Sequence, residues 1–401
     1  VRIGKAVGIA AAAGAAAAGG AWLWRHQGDI AFSRPVNEWT FTHMNRIMPV
    51  AEVPRPAVAR PLPTAAEPLG VSGIRYEFDG RPSSLDEMHR RTHTTAFLVA
   101  HRGEIVHESY PGRFASPSAR FQLFSLTKSV TSMLIGIALE RGEIGGLTDP
   151  VTGYLPQLIG SGYDGVTLAD LLNMSSGVGA VEDWTVPDAP IRRFETAVST
   201  GGSVLEVIRS TPRLRQPGTA FNYSTLDTHV IGWLLEAATG RSLAEYATEQ
   251  LWHPMGAESD AFYFLTRGRP RTALGGGSLN ATVRDLARVG ILMAAGGRVG
   301  ERQLVPEEWV ARSRGSDLPH LQVGELVNGG GSPQYGYSNQ WWTLGGERRA
   351  FTGLGVHGQF LFVDPDSETV IVKTSAWNDA DDDARSLETL RALEAIVLAL
   401  A

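Results

Sequence analysis

Phe124-Ser125-Leu126-Thr127-Lys128-Ser129 is the stretch from which the rest of this chain can be read. The chain holds three lysines, Lys5, Lys128 and Lys373, which leaves 33 arginines among its 36 basic residues. Arginine keeps its proton in proteins, whereas a buried lysine can release it, so a lysine three residues after a serine is suited to act as a base. Positions i and i+3 share a helix face, which would bring hydroxyl and amine together as a lysine-activated serine nucleophile. Val130, Leu134, Ile137 and Ala138 continue at helical spacing, so the motif opens a long buried helix whose dipole favours negative charge on the serine oxygen. Because a lone S-x-x-K pattern recurs by chance, its meaning depends on its companions.

Working outward, residues 96–100 and 105–110 read as strands joined by a turn at His101-Arg102-Gly103. Far downstream, residues 340–344, 358–363 and 369–374 also read as strands, with Asp364-Pro365-Asp366 turning the last two into a hairpin, and residues 384–401 read as an apolar-faced helix. Helices dominate between these ends. The pattern predicts an α/β (α+β) architecture: one antiparallel sheet built from both chain ends and flanked by helices, with an inserted helical lobe.

Composition narrows the function classes. With 43% hydrophobic, 8% aromatic and 19% charged residues, the 401-residue chain suits one large domain or two lobes. Net charge is −6, and it becomes −8 once Arg2 and Lys5 in residues 1–24 are set aside, so nothing points to nucleic acid. The absence of cysteine excludes disulfides and thiolate metal sites. Arg2 and Lys5 precede a charge-free run over residues 6–24, which reads as a signal peptide or a membrane anchor. We therefore expect an exported or membrane-anchored protein, with possible membrane contact through that segment. Residues 25–70 carry Pro49, Pro54, Pro56, Pro61, Pro63 and Pro68 and read as an extended linker or strap, and a catalytic domain follows over residues 71–401.

A second site element is Tyr223, in Phe221-Asn222-Tyr223-Ser224-Thr225 ahead of an apolar helical run over residues 230–238. A phenol beside an ammonium has its anionic form favoured, so Tyr223 is expected to be kept acidic by Lys128 and to relay the serine proton. With these elements the chain resembles the serine β-lactamase and penicillin-binding protein superfamily in its class C-like branch, over residues 71–401. Ser125-Leu126-Thr127-Lys128 matches that family's S-x-x-K and Tyr223-Ser224-Thr225 its tyrosine element. Asp170-Leu171-Leu172-Asn173-Met174-Ser175-Ser176-Gly177 and the stretch beginning Gly275-Gly276-Gly277-Ser278 add support. The resemblance implies a β-lactamase/transpeptidase-like fold and a Ser125 acyl-enzyme.

Departures from the family pattern bear on substrate. β-Lactamases and transpeptidases carry a K-T-G triplet on the strand flanking the site, whereas here that region reads Phe351-Thr352-Gly353-Leu354-Gly355-Val356-His357-Gly358-Gln359-Phe360. Lys373-Thr374-Ser375 mimics the triplet one strand too late. Gly355-Val356-His357-Gly358-Gln359, together with Asn37-Glu38-Trp39 and Tyr335-Gly336-Tyr337 before Trp341-Trp342, is similar to the 6-aminohexanoate-dimer hydrolases, or nylon-oligomer amidases, and related esterases. That resemblance implies an oxyanion hole made by the backbone N–H groups of Ser125 and Val356, and hydrolysis of a small linear amide or ester. Gly355, His357, Trp184, Trp341 and Trp342 are candidate substrate contacts. A D,D-peptidase or penicillin-binding protein, a class C-like β-lactamase, and a non-catalytic envelope binding module are the alternatives.

Other constellations are weaker. His357 with Asp183 or Asp227 suggests a Ser-His-Asp triad, but no G-x-S-x-G elbow is present and Lys128 already fills the base position. His89 and His93 have helical spacing without the glutamate of a zinc protease. Asp379, Asp381, Asp382 and Asp383 lack the glycine and bidentate glutamate of a calcium loop and suit the start of the last helix. No metal or cofactor is implied.

Overall fold

The computed structural model describes residues 30–66, 69–180, 182–184 and 186–401, so the expected leader or anchor over residues 1–24 lies outside the described residues. Along the chain, helix α1 (Val36–Thr40) and strand β1 (Val50–Val53) precede helix α2 (Leu85–Arg91) and the hairpin β2 (Thr94–His101) and β3 (Glu104–Ser109). Strand β4 (Phe121–Gln122) leads into the long helix α3 (Thr127–Glu140), then α4 (Pro190–Thr200), α5 (Val204–Ser210) and α6 (Thr225–Thr239). Strands β5 (Ala261–Phe264) and β6 (Leu279–Ala281) precede helix α7 (Val283–Ala294). The last elements are β7 (Tyr335–Ser338), β8 (Trp341–Leu344), β9 (Phe351–Gly355), β10 (Gln359–Asp364), β11 (Thr369–Ser375) and helix α8 (Asp383–Leu400).

Every residue of β2 is buried, which requires cover on both faces of its sheet. The sheet has seven strands in the order β7-β8-β9-β10-β11-β2-β3, each neighbouring pair antiparallel. Side chains alternate between its faces. Ala96, Leu98 and Ala100 join the cluster containing Leu361, Val370 and Val372, while Phe97 and Val99 join Phe360, Phe362 and Ile371 with Met88 and Leu393 from α2 and α8. A four-stranded sheet, β1-β5-β6-β4, stands beside the main one and carries the chain into α3. The predicted strands and terminal helix are present with their ends shifted by one or two residues, and the sheet draws its strands from both chain ends as anticipated.

Residues 30–66 are more structured than a linker. Within them β1 pairs with β5, Val50 facing Phe264, and α1 buries Asn37 against Trp377. The proline-rich part behaves as a strap, with Arg60 N–H bonding the Gly256 carbonyl at 3.0 Å and Ala65 N–H the Ile105 carbonyl at 3.0 Å. Proline leaves few donors for a sheet ladder, which accounts for this sparse attachment.

Helix α7 lies close against the sheet because Gly290 has no side chain. A β-carbon there would fall 2.4 Å from Val370 Cγ1 and 2.8 Å from Leu361 Cδ1. We predict that Gly290→Ala destabilises the protein by about 1–3 kcal/mol, because overpacking outweighs the roughly 1 kcal/mol gain in helix propensity. A lowered urea midpoint would confirm this; an unchanged or raised midpoint would refute it.

Candidate active site

Ser125 sits in a short helical turn, Phe124–Leu126, that runs directly into α3, and Lys128 occupies the first turn of that helix. The two side chains meet as the spacing predicts, with Nζ of Lys128 2.8 Å from Oγ of Ser125. Nζ also lies 2.8 Å from Thr225 Oγ1 at the start of α6 and 2.8 Å from the carbonyl oxygen of Gly276. Lys128 is 1% exposed, and burial pushes its pKa down to about 8 against a raising influence from Glu182. A neutral amine has two N–H donors and one lone pair. The carbonyl can only accept and the threonine hydroxyl accepts readily, which leaves the lone pair for the serine O–H. The three partners therefore suit an amine ready to take the Ser125 proton.

The loop at residues 275–277 reaches Lys128 because its glycines let α6 and α3 close on it. A β-carbon on Gly276 would lie 3.1 Å from the Thr225 carbonyl oxygen, and Thr131, one turn beyond Lys128, donates to the Gly275 carbonyl at 2.7 Å. On the other side of α3, Ser129 Oγ donates to the Gln340 carbonyl at 2.8 Å, and Gln340 Oε1 accepts from Thr228 of α6 at 2.7 Å. These polar ties link α3, α6 and the turn before β8.

Tyr223 immediately precedes the helix cap Ser224, whose Oγ accepts from Asp227 N–H at 3.2 Å. Its ring lies 4.9 Å from Lys128 Nζ, and the Ser125 hydroxyl is among the groups that act on its phenol. The acidic Tyr223 expected from the sequence is corrected here. Burial, reinforced by Glu182 and Asp381, pushes the phenol well above its ordinary value of 10. The ammonium that was to hold it down is itself tending to neutral, so desolvation outweighs the cation.

Strand alternation corrects a second expectation. Trp341 is fully buried and packed edge-on to Phe351 at 5.0 Å, on the face of the sheet away from Tyr223. Its neighbour Trp342 points to the opposite face and stacks on Tyr223 at 5.3 Å. Trp184 is partly buried against the core, with Nε1 donating to Glu195 Oε1 at 2.9 Å. Beside it, Glu182 accepts the backbone N–H of Thr225, and burial raises its pKa. Asp381 is likewise pushed up to about 6 by burial and by Glu182, whereas Asp382 caps α8 as the sequence suggested. Glu182 has no motif in the sequence to announce it, and although Asp381 and Gly276 stand in stretches the sequence singles out, nothing local tells that they come close to Lys128 and Tyr223.

The β9–β10 hairpin brings Gly355 and Val356 to the nucleophile turn. A β-carbon on Gly355 would lie 2.4 Å from the Leu123 carbonyl oxygen, so glycine permits this approach. His357 is 6% exposed and surrounded by Phe32, Phe41 and Phe124, with Nδ1 2.9 Å from the Trp377 carbonyl. A carbonyl only accepts, so Nδ1 carries the proton; burial lowers the ring's pKa and keeps it neutral. His357 thus packs on the nucleophile turn with Nδ1 committed to a backbone carbonyl, while the Asp227 carboxylate accepts from Tyr163 O–H at 2.8 Å. Lys373 lies inside β11 between the faces of Phe360 and Trp377, bonded to Ser375 and removed from the site as anticipated. Among the described residues, no three His, Asp or Glu side chains converge as a metal site would need.

Comparison with known proteins agrees with this geometry. The β-lactamase family profile matches residues 82–396. The 6-aminohexanoate-dimer hydrolase of Paenarthrobacter ureafaciens is 31% identical over 356 residues, which cover 86% of this chain and 87% of that protein. The solved structure of a candidate 6-aminohexanoate-dimer hydrolase from Bacillus anthracis superposes with a TM-score of 0.77 at 26% identity, covering 91% of this chain and 95% of that one. A hydrolase with promiscuous acyltransferase activity shares the fold at a TM-score of 0.61 and 16% identity, over 78% of this chain and 98% of its own. The chain belongs to the β-lactamase family and is a serine hydrolase of that fold.

Proposed function

We propose that this enzyme hydrolyses the amide or ester bond of a small linear substrate, of the 6-aminohexanoate-oligomer type, through a Ser125 acyl-enzyme. The observation that carries the reading is the 2.8 Å contact between Ser125 Oγ and a lysine amine whose pKa burial has brought to about 8. The Ser125 proton passes to Lys128 Nζ as Oγ bonds to the substrate carbonyl carbon. The resulting oxyanion rests on the N–H groups of Ser125 and Val356, an arrangement that commonly supplies the largest catalytic contribution. Collapse breaks the bond to the leaving nitrogen or oxygen, which takes a proton from the neutral Tyr223 O–H, re-supplied by Lys128. Water then attacks the acyl-enzyme, its proton returning by the same route, and releases Ser125 and the acid.

Charge near the site supports a neutral or cationic substrate over a β-lactam or D-alanyl peptide carboxylate. The charged groups acting on Tyr223 are the carboxyls Glu182 and Asp381, and the strand β9 offers no lysine. A panel of short linear amides, p-nitrophenyl esters and β-lactams is therefore expected to show turnover of amides or esters by wild type, little of β-lactams, and none by Ser125→Ala. Rapid turnover of a chromogenic cephalosporin would reverse this ranking.

The base assignment predicts a pH profile. Lys128 must be neutral to accept a proton, so kcat/KM rises with pH and levels above about 8, gaining about tenfold between pH 7 and 9. Glu182 raises the Lys128 pKa, so Glu182→Gln moves the midpoint to lower pH. Lys128→Arg abolishes activity, since a guanidinium does not give up its proton to become a base. Retained activity in Lys128→Arg, or a flat profile, would contradict the assignment.

We propose also that the protein is exported or membrane-anchored, on the support of Arg2 and Lys5 ahead of the charge-free residues 6–24. Cell fractionation with N-terminal sequencing is expected to find a processed N-terminus or recovery with membranes. An unprocessed chain in the cytosol would overturn that placement.

A further inference from the structure

Each of the two backbone donors assigned to the oxyanion adjoins a non-glycine residue in the left-handed region. Phe124, at φ 48°, precedes Ser125, and His357, at φ 61°, follows Val356. A β-carbon disfavours that region, so such conformations persist where the surrounding structure over-determines them. What surrounds both is one aromatic cluster. The rings of Phe124 and His357 lie 5.3 Å apart, tilted by 47°. Phe41 packs on the first at 4.8 Å and the second at 5.0 Å, and Phe32 on the same two at 6.1 and 5.9 Å. Val356 packs against this cluster as well.

Phe32 and Phe41 lie upstream of residues 82–396, the part of the chain that matches the family profile. Polar contacts fasten the same segment to both sides of the site. The Phe41 carbonyl accepts from Gln122 N–H at 2.7 Å, just ahead of the nucleophile turn. Asn37, fully buried, donates through Nδ2 to the Trp377 carbonyl at 2.9 Å, the acceptor that His357 Nδ1 also uses. Arg34 Nη1 donates to the Ala376 carbonyl at 3.2 Å, and the His357 N–H is held by the Ala380 carbonyl at 2.7 Å. One side of the segment thus braces the turn that carries Ser125 and the other braces the hairpin that carries Val356.

We propose that Phe32, Asn37 and Phe41 form a clamp that holds the two oxyanion donors in register, acting as positioning residues for acyl transfer. This rests on the acyl-enzyme reading above. Misplacing a donor weakens interactions made in the transition state more than those made with bound substrate, so the effect falls on kcat.

The test uses full-length Phe32→Ala, Asn37→Ala and Phe41→Leu beside Ser125→Ala, with a p-nitrophenyl ester as substrate. A trifluoromethyl ketone serves as reversible inhibitor, because its hemiketal oxyanion occupies the hole. Phe32 is 37% exposed, so its replacement leaves a protein that folds even if the two buried positions do not tolerate change. We expect kcat to fall about tenfold or more with KM within about threefold, and inhibitor affinity to fall in parallel with kcat/KM. Folded clamp variants with wild-type kcat and inhibitor affinity, or a loss confined to KM, would overturn the clamp while an inactive Ser125→Ala upholds the acyl-enzyme. Activity retained by Ser125→Ala would overturn both.

Discussion

Taking the Lys128 amine out of water is the constraint around which this site is arranged. An ammonium in that position would be costly without a carboxylate bonded to it, whereas a neutral amine needs only oxygen partners. The fold supplies three of them from different parts of the chain: Ser125 one helical turn back, Thr225 at the start of α6, and the Gly276 carbonyl. The glycines of the 275–277 loop, the cap at Ser224 and the packing of α3 against α6 all serve that convergence.

Burial alone does not make a lysine a base, as Lys373 shows. It too is fully buried, with a pKa lowered to about 7 and a serine hydroxyl as partner. Its place in the middle of the main sheet, between Phe360 and Trp377, leaves no route for a substrate carbonyl to reach Ser375. Lys128 differs because its serine stands on the turn that the end of β9 approaches, beside Val356, the second of the proposed oxyanion donors. Burial also separates the two ionisable groups of the site, lowering the amine and raising the Tyr223 phenol. That divergence is what the proposed mechanism uses, with the amine as base and the phenol as proton donor.

Much of the architecture was legible because it rests on local pattern. The short strand-like runs at residues 96–100 and 369–374, the turn residues between hairpins, and the helical spacing after Lys128 each reflect a local physical pattern. The order β11-β2-β3 follows from having strands at both chain ends that must share one sheet. The segment before residue 71 was harder to read, because its prolines point to extended chain while its short helix and β1 are stabilised by distant partners, Trp377 and β5. Trp341 and Trp342 illustrate the same limit: adjacent tryptophans on a strand must face opposite ways, but which one meets Tyr223 depends on the register of β8 against β9.

The sequence by itself determined the sheet assembled from both chain ends and singled out Ser125, Lys128 and Tyr223 as the candidate nucleophile and its companions, since these follow from spacing, residue chemistry and periodicity. Only the tertiary structure decided the directions in which the Lys128 and Tyr223 pKa values move, because desolvation is set by everything packed around a group. It alone placed Glu182 and Asp381 beside the site, buried Trp341 against Phe351 and His357 among aromatic rings, and brought residues 32–41 against the nucleophile turn. Those outcomes arise from contacts between residues tens to hundreds of positions apart, and no local pattern in the chain records them.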